Sequence, residues 1–256
     1  MPFALLDRWC SPPPDPRKVE WIGEHDYAHR GLHGAVIPEN SLAAFRLAIE
    51  EGHGIELDVQ RAGDGTPVVF HDTVLDRLTG ETGEIARRSA AQLAAVTLGG
   101  TAESIPSLRQ ALTLIGGRKP VLIELKSSRG TRLAALCLAV RRVLEGYTGP
   151  HAVMSFDPRV SHWYSQHSPH TVRGLIVSEG EHRALPGKIR RRLALWQARP
   201  DFLAYDIRDL PSRFAAAQRK RGLPVATWTV RRPDHHERAG IHADAVIFER
   251  PSEEPA

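Results

Sequence analysis

From Tyr27 onward the chain alternates short β-rich runs with longer stretches of helical periodicity, and turn residues mark each handover. The pattern predicts strands near 26–30, 54–60, 120–126, 151–156, 171–177, 201–206, 223–230 and 244–248. Helices are expected near 41–51, 107–116, 131–145, 157–166, 186–197, 211–221 and 232–240. Such alternation builds a mostly parallel sheet, because a parallel neighbour is reached only through a crossover, usually a helix. Eight strands with intervening helices fit a (β/α)8 TIM barrel of the α/β class. An open doubly wound sheet is the alternative; against it, neither GxGxxG nor GxxxxGK[ST] follows any of these strands.

A chain of 256 residues, 41% hydrophobic, suits one barrel or two smaller domains. No linker interrupts the pattern after the proline-rich start. The reading is therefore a single domain over 25–256, preceded by an extended lead-in over 1–24 in which Pro12 to Pro16 is rigid. The interval 61–105 is too long for a simple loop. It carries a short strand at Pro67 to Phe70 and a small helix near 89–95, and reads as an insertion after the second strand.

Glu56 and Asp58 lie two apart in the apolar run GIELDVQ. Strand side chains alternate, so both carboxylates share one face while Ile55, Leu57 and Val59 pack on the other. Two adjacent anions on a semi-buried face repel, and a hard divalent cation such as Mg2+ or Ca2+ between them cancels the repulsion. Glu124 and Lys126 share a face of the next long strand in the same way, and His29, Arg30 and His71 stand at neighbouring strand ends. Gly31 lets the chain turn sharply after Arg30. Carboxylates, cations and imidazoles converging from separate strands describe a metal-plus-anion site with acid/base groups, hence a hydrolytic one.

The ordered pieces HRG (His29–Gly31), PENS (Pro38–Ser41), ELD (Glu56–Asp58), HD (His71–Asp72), IPSL (Ile105–Leu108), IELK (Ile123–Lys126) and WTV (Trp228–Val230) resemble the glycerophosphodiester phosphodiesterases. The match runs from about Tyr27 over nearly the whole chain. The resemblance implies a TIM barrel that hydrolyses glycerophosphodiesters to sn-glycerol 3-phosphate and an alcohol, in lipid and glycerol metabolism. It implies that His29 and His71 are the acid/base pair, that Glu56, Asp58 and Glu124 ligate the divalent metal, and that Arg30 and Lys126 bind phosphate. Glu39 reads as structural or as a support for the residues that form the site, and Asn40 or Ser41 as the N-cap of the following helix. Trp228 reads either as core packing or as a wall against the alcohol group. The chain departs from the family at Glu249-Arg250-Pro251, where relatives end the last strand in an Asp-x-Pro-like turn, and this bears on substrate choice.

A lysophospholipase D acting on lipid substrates is the alternative within the same chemistry, and a non-catalytic phosphodiester-binding barrel is the alternative outside it. The formal charge of +4 is too diffuse to imply nucleic acid. Its densest cluster, Lys188 with Arg190, Arg191 and Arg192, is the solvated face of an amphipathic helix or a contact for anionic lipid headgroups. Phe3, Leu5, Leu6 and Trp9 allow a peripheral membrane contact. No apolar run reaches transmembrane length, the N-terminus lacks a signal-peptide pattern, and two unrelated cysteines argue against a disulfide framework; cytoplasmic residence is expected.

Overall fold

A computed structural model describes residues 4–127, 132–180 and 184–250. In chain order the elements are α1 (Ala4–Cys10), α2 (Pro16–Val19), β1 (Tyr27–Ala28), α3 (Leu42–Glu50), β2 (Gly54–Arg61), β3 (Pro67–Val69), α4 (Ala90–Leu93), α5 (Leu108–Ile115), β4 (Val121–Leu125), α6 (Leu133–Leu144), β5 (His151–Ser155) and α7 (Pro158–His167). They continue with β6 (Val172–Val177), α8 (Leu185–Ala198), β7 (Phe202–Asp206), α9 (Arg213–Arg219), β8 (Val225–Val230), α10 (Pro233–His242) and β9 (Ala245–Phe248). Every strand and helix expected from the alternation is present.

Contacts divide the chain into two compact units. One holds residues 27–151 with Glu249 and Arg250; the other holds the chain up to Asp26 and residues 152–248. In the first, β1 runs parallel to β2, with Tyr27 opposite Gly54. Strand β2 runs parallel to β4 with Asp58 opposite Glu124. That register is what brings carboxylates from two strands to one level. Ile55, Leu57, Val59, Ile123 and Leu125 are fully buried on the opposite face, where truncating any one to Ala would cost about 2–5 kcal/mol. In the second unit β5 to β9 pair in sequence order, each parallel to the next. Its core joins Leu175, Leu203, Tyr205 and Val225 to Leu195 and Ala198 of α8.

The expected insertion is a folded excursion. Strand β3 turns back antiparallel on β2, Val69 opposite Val59. Beyond it Val68, Phe70, Leu75, Ile85, Leu93 and Leu98 form a core of their own. The short α4 is held by a capping box in which Ser89 and Gln92 bond each other's backbone N–H.

Two local expectations are corrected, and an open one is decided. The first strand stops at Ala28 because Arg30 and Gly31 adopt positive φ, 56° and 77°, which no strand residue can. The N-terminal segment is not extended: α1 and α2 occupy it, and a 3-10 turn over Glu20–Glu24 follows. Pro16 opens α2 behind an Asp15 N-cap, a position where a missing N–H is harmless. Of the two candidate caps for α3, Ser41 is the one: its Oγ accepts from Ala44 N–H at 3.1 Å. Phe3 and Pro251 lie outside the described residues. Among those described, no helix is long and apolar enough to cross a membrane.

Gly31 is fixed by space as well as by φ. A Cβ there would stand 2.8 Å from Ala44 Cβ and 2.9 Å from Phe45 Cδ1. Gly31→Ala is therefore expected to destabilise by about 2–4 kcal/mol, combining overpacking with left-handed strain. Equilibrium urea unfolding checks this; a loss under about 0.5 kcal/mol, the scale of an ordinary surface change, would contradict the packing.

Candidate active site

The site lies within the first unit and is built on β2 and β4. Glu56, Asp58 and Glu124 each offer an oxygen, all within 4.8 Å of one another, and all three residues are buried. Asp58 is the most tightly held. Asn40 Nδ2 donates to Asp58 Oδ2 at 2.9 Å, and Asp58 N–H donates to Asn40 Oδ1 at 3.2 Å. Arg30 Nε stands 3.2 Å from the same Oδ2. Lys126 Nζ bridges Asp58 Oδ1 at 3.0 Å and Glu124 Oε1 at 2.9 Å. Glu56 Oε2 accepts from Arg30 N–H at 3.0 Å. Arg30 and Asn40 both hold left-handed backbone, φ 56° and 57°, and Asn40 N–H donates to Arg30 O at 2.8 Å. Two non-glycine residues in that region at one site are strain held in place by the surrounding hydrogen bonds.

Burial drives Glu56 well above the ordinary carboxyl range, and the charges of Asp58 and Glu124 add to it. Burial, then Asp58, raises Glu124 to about 7. Burial also works against Asp58, but Lys126, Arg30 and the two imidazoles outweigh it and hold its pKa at about 2. Lys126 is raised: burial opposes its charge, and Asp58 and Glu124 overcome that. Without a further cation the cluster thus keeps one carboxylate ionised and pushes protons onto the other two. All donors are hard oxygens, and Asp58 Oδ1, fully buried, faces the Lys126 ammonium at 3.0 Å. The donor set fits a hard divalent cation.

The two expected histidines have the same arrangement. His29 Nδ1 is 2.5 Å from Glu249 Oε1, and His29 Nε2 is 3.9 Å from Glu56 Oε2. His71 Nδ1 is 2.8 Å from Asp72 Oδ1. A carboxylate on Nδ1 fixes the ring's orientation and leaves Nε2 as the nitrogen turned away from that partner. Burial lowers the His71 pKa, the Asp58 charge partly offsetting it, which favours neutral imidazole. The backbone around His71 is pinned to β2: Phe70 N–H donates to Asp58 O at 3.0 Å, and Gln60 Nε2 donates to Phe70 O and Asp72 O at 2.8 and 2.5 Å. Arg77 ties Asp72 to Glu39 through bonds of 2.6 Å to each, and Glu39 Oε1 also accepts from Arg30 Nη1 at 2.9 Å. Glu39 is thus structural, as expected, but as a hub joining the Arg30 and His71 sides.

The structure therefore brings His29, Arg30, Glu56, Asp58, His71, Glu124 and Lys126 together. Trp228, in the second unit, lies on β8, half-buried. Its Nε1 donates to Ala204 O at 3.0 Å and its ring meets exposed Phe156 edge-on, centroids 5.5 Å apart. Four supporting residues were not expected: Asn40 beyond capping, Asp72, Arg77 and Glu249. Asn40 and Asp72 sit inside quoted motifs. Glu249 stands in the segment where the chain departs from its relatives. Arg77 carries no sequence signal.

Hard-cation ligands beside paired imidazoles, presented at the ends of parallel strands, define a hydrolase site for an anionic ester. Residues 29–253 match the Glycerophosphoryl diester phosphodiesterase family, and the chain belongs to it. A glycerophosphodiester phosphodiesterase from Caldanaerobacter subterraneus subsp. tengcongensis is 28% identical over 237 residues, covering 88% of this chain and 93% of that protein. A phosphodiesterase from Oleispira antarctica, solved with the product sn-glycerol-3-phosphate, aligns with TM-score 0.77 at 27% identity over 88% of this chain and 92% of its own. The Thermotoga maritima glycerophosphodiester phosphodiesterase aligns with TM-score 0.71 at 26% identity, covering 87% and 92%. The fold class is the (β/α)8 TIM barrel, and the chain is a phosphoric diester hydrolase.

A cation entering this cluster must displace protons from Glu124 and Glu56. Glu124, raised to about 7 from 4.5, gives the metal-free fold a contribution that is complete below pH 4.5 and lost as pH rises through 7. The rise in melting temperature produced by a divalent ion should therefore be larger at pH 8 than at pH 5. Thermal denaturation with and without the ion measures it, and equal gains at both pH values would contradict the proton competition.

Proposed function

We propose that this chain cleaves glycerophosphodiesters to sn-glycerol 3-phosphate and an alcohol, with His29 and His71 as the proton-transfer pair. Glu56, Asp58 and Glu124 are the proposed ligands of a divalent cation, Mg2+ or Ca2+. The observation that carries the reading is the pairing of each imidazole with its own carboxylate, Glu249 and Asp72, beside a buried three-carboxylate cluster. A binding protein has no need of two oriented imidazoles.

When bound, the cation would neutralise the cluster and polarise a non-bridging phosphoryl oxygen. Three carboxylates face Arg30 and Lys126, so a divalent ion leaves the set net positive, matched to a phosphodiester monoanion. Arg30 engages protein through Nε and Nη1; its remaining Nη2 is the proposed phosphate donor, with Lys126 beside it. One imidazole takes the proton of the attacking oxygen as the new P–O bond forms. The other gives its proton to the departing alkoxide as the old P–O bond breaks. Arg77, Glu39 and Asn40 keep the pieces in register, which is where orientation enters the rate.

Release of glycerol 3-phosphate from glycerophosphocholine, supported by Mg2+, Ca2+ or Mn2+ and stopped by EDTA, is the expected activity. His29→Ala and His71→Ala should each lower kcat by roughly 100-fold or more, the scale of general acid–base catalysis, with melting temperature unchanged. Wild-type turnover in either variant would remove that residue from the pair. Turnover confined to lysophosphatidylcholine would instead identify a lysophospholipase D.

A further inference from the structure

Helix α1 is amphipathic with its polar side inward. Its one acidic residue, Asp7, is buried and satisfied from α8 and α9: Arg192 Nη1 donates to Asp7 Oδ2 at 2.6 Å, Trp196 Nε1 to Oδ1 at 2.8 Å, and Gln218 Nε2 to Oδ2 at 3.3 Å. Arg221 Nη2 adds a bond to Asp7 O at 2.7 Å. With that anchor inside, Leu5 and Trp9 face solvent, 82% and 85% exposed. A surface helix of a water-soluble domain does the reverse.

Helix α8, against which Asp7 docks, continues the pattern. Leu185, Ile189 and Leu193 recur every four residues along one line and are 69%, 49% and 55% exposed. They form one wall of a cavity of about 690 Å3, whose other wall includes Leu210, Pro211 and Phe214. Arg8, Lys188, Arg190 and Arg213 are exposed here with no carboxylate partner among the described residues, whereas the two carboxylates lining the cavity are engaged by the protein: Glu179 by Arg191 at 3.1 Å, and Asp209 by Ser178 Oγ and Glu179 N–H at 3.3 and 2.5 Å. Neither helix carries an acidic residue other than Asp7, which is turned away. Apolar side chains with an aromatic among them, in a rim where cations outnumber carboxylates, complement one surface chemistry: acyl chains beneath anionic headgroups.

We propose that α1 and α8 form a docking face for an anionic lipid bilayer, with Leu5, Trp9, Leu185, Ile189 and Leu193 entering the headgroup layer and Lys188 and Arg190 pairing with its phosphates. The face belongs to the second unit and is independent of the residues assigned to catalysis. It would hold a phospholipid-derived hydrolase at the surface where its substrates arise.

Co-sedimentation of the full chain with phosphatidylcholine–phosphatidylglycerol vesicles and with pure phosphatidylcholine vesicles tests it. Binding should favour the anionic vesicles and fall as salt is raised, which requires no variant. Lys188→Glu with Arg190→Glu, and separately Leu5→Asp with Ile189→Asp, should each lower the partition coefficient roughly tenfold or more. Both double variants alter exposed side chains, so melting temperature and turnover of soluble glycerophosphocholine should stay at wild-type values. Absence of anionic-vesicle binding, or wild-type binding by both variants, would overturn the proposal. So would a concentration-dependent dimer that these substitutions abolish, since that assigns the face to a second copy of the chain.

Discussion

The repulsion among Glu56, Asp58 and Glu124 organises the first unit. Parallel register sets Asp58 opposite Glu124 on adjacent strands, and alternation puts Glu56 on the same face. Taking three carboxylates out of water is tolerable only with compensating charge and hydrogen bonds. Arg30, Lys126 and Asn40 supply part of it, and their placement accounts for features that otherwise look unrelated. Arg30 and Asn40 adopt left-handed backbone so that their side chains reach Asp58. Gly31 follows because a chain turning there runs against Ala44 and Phe45.

A second layer of carboxylates acts on the cations rather than on the ion site. Glu39 receives Arg30 and Arg77, Asp72 receives His71 and Arg77, and Glu249 receives His29. Each of the two imidazoles is thus oriented by a residue that itself stays clear of the three-carboxylate cluster. Charges alternate outward from Asp58, an arrangement in which removing one member leaves its neighbour buried and unpaired.

Much of this was legible because β structure is periodic. Period-two alternation in GIELDVQ and VLIELK suffices to place Glu56, Asp58, Glu124 and Lys126 on shared faces. What was not legible came from contacts without a local pattern. Arg77 reaches Asp72 and Glu39 from within the folded insertion, Glu249 reaches His29 across more than two hundred residues of sequence, and Asn40 looks like a helix cap until its φ is known. The N-terminal segment reads as a proline-rich lead-in because the partners that fix α1, namely Arg192, Trp196 and Gln218, lie far along the chain. Its apolar residues are therefore seen to face outward only in the structure.

The three buried carboxylates are proposed to form one cation site and not a structural ion-pair network. Isothermal titration of Mg2+, Ca2+ or Mn2+ into the metal-free protein, in buffers of different ionisation enthalpy, addresses it most directly. One ion per chain, protons released on binding, and loss of binding in Glu124→Gln with the fold retained are expected. Binding of the wild-type kind in Glu124→Gln, or no binding by the wild-type chain, would contradict it.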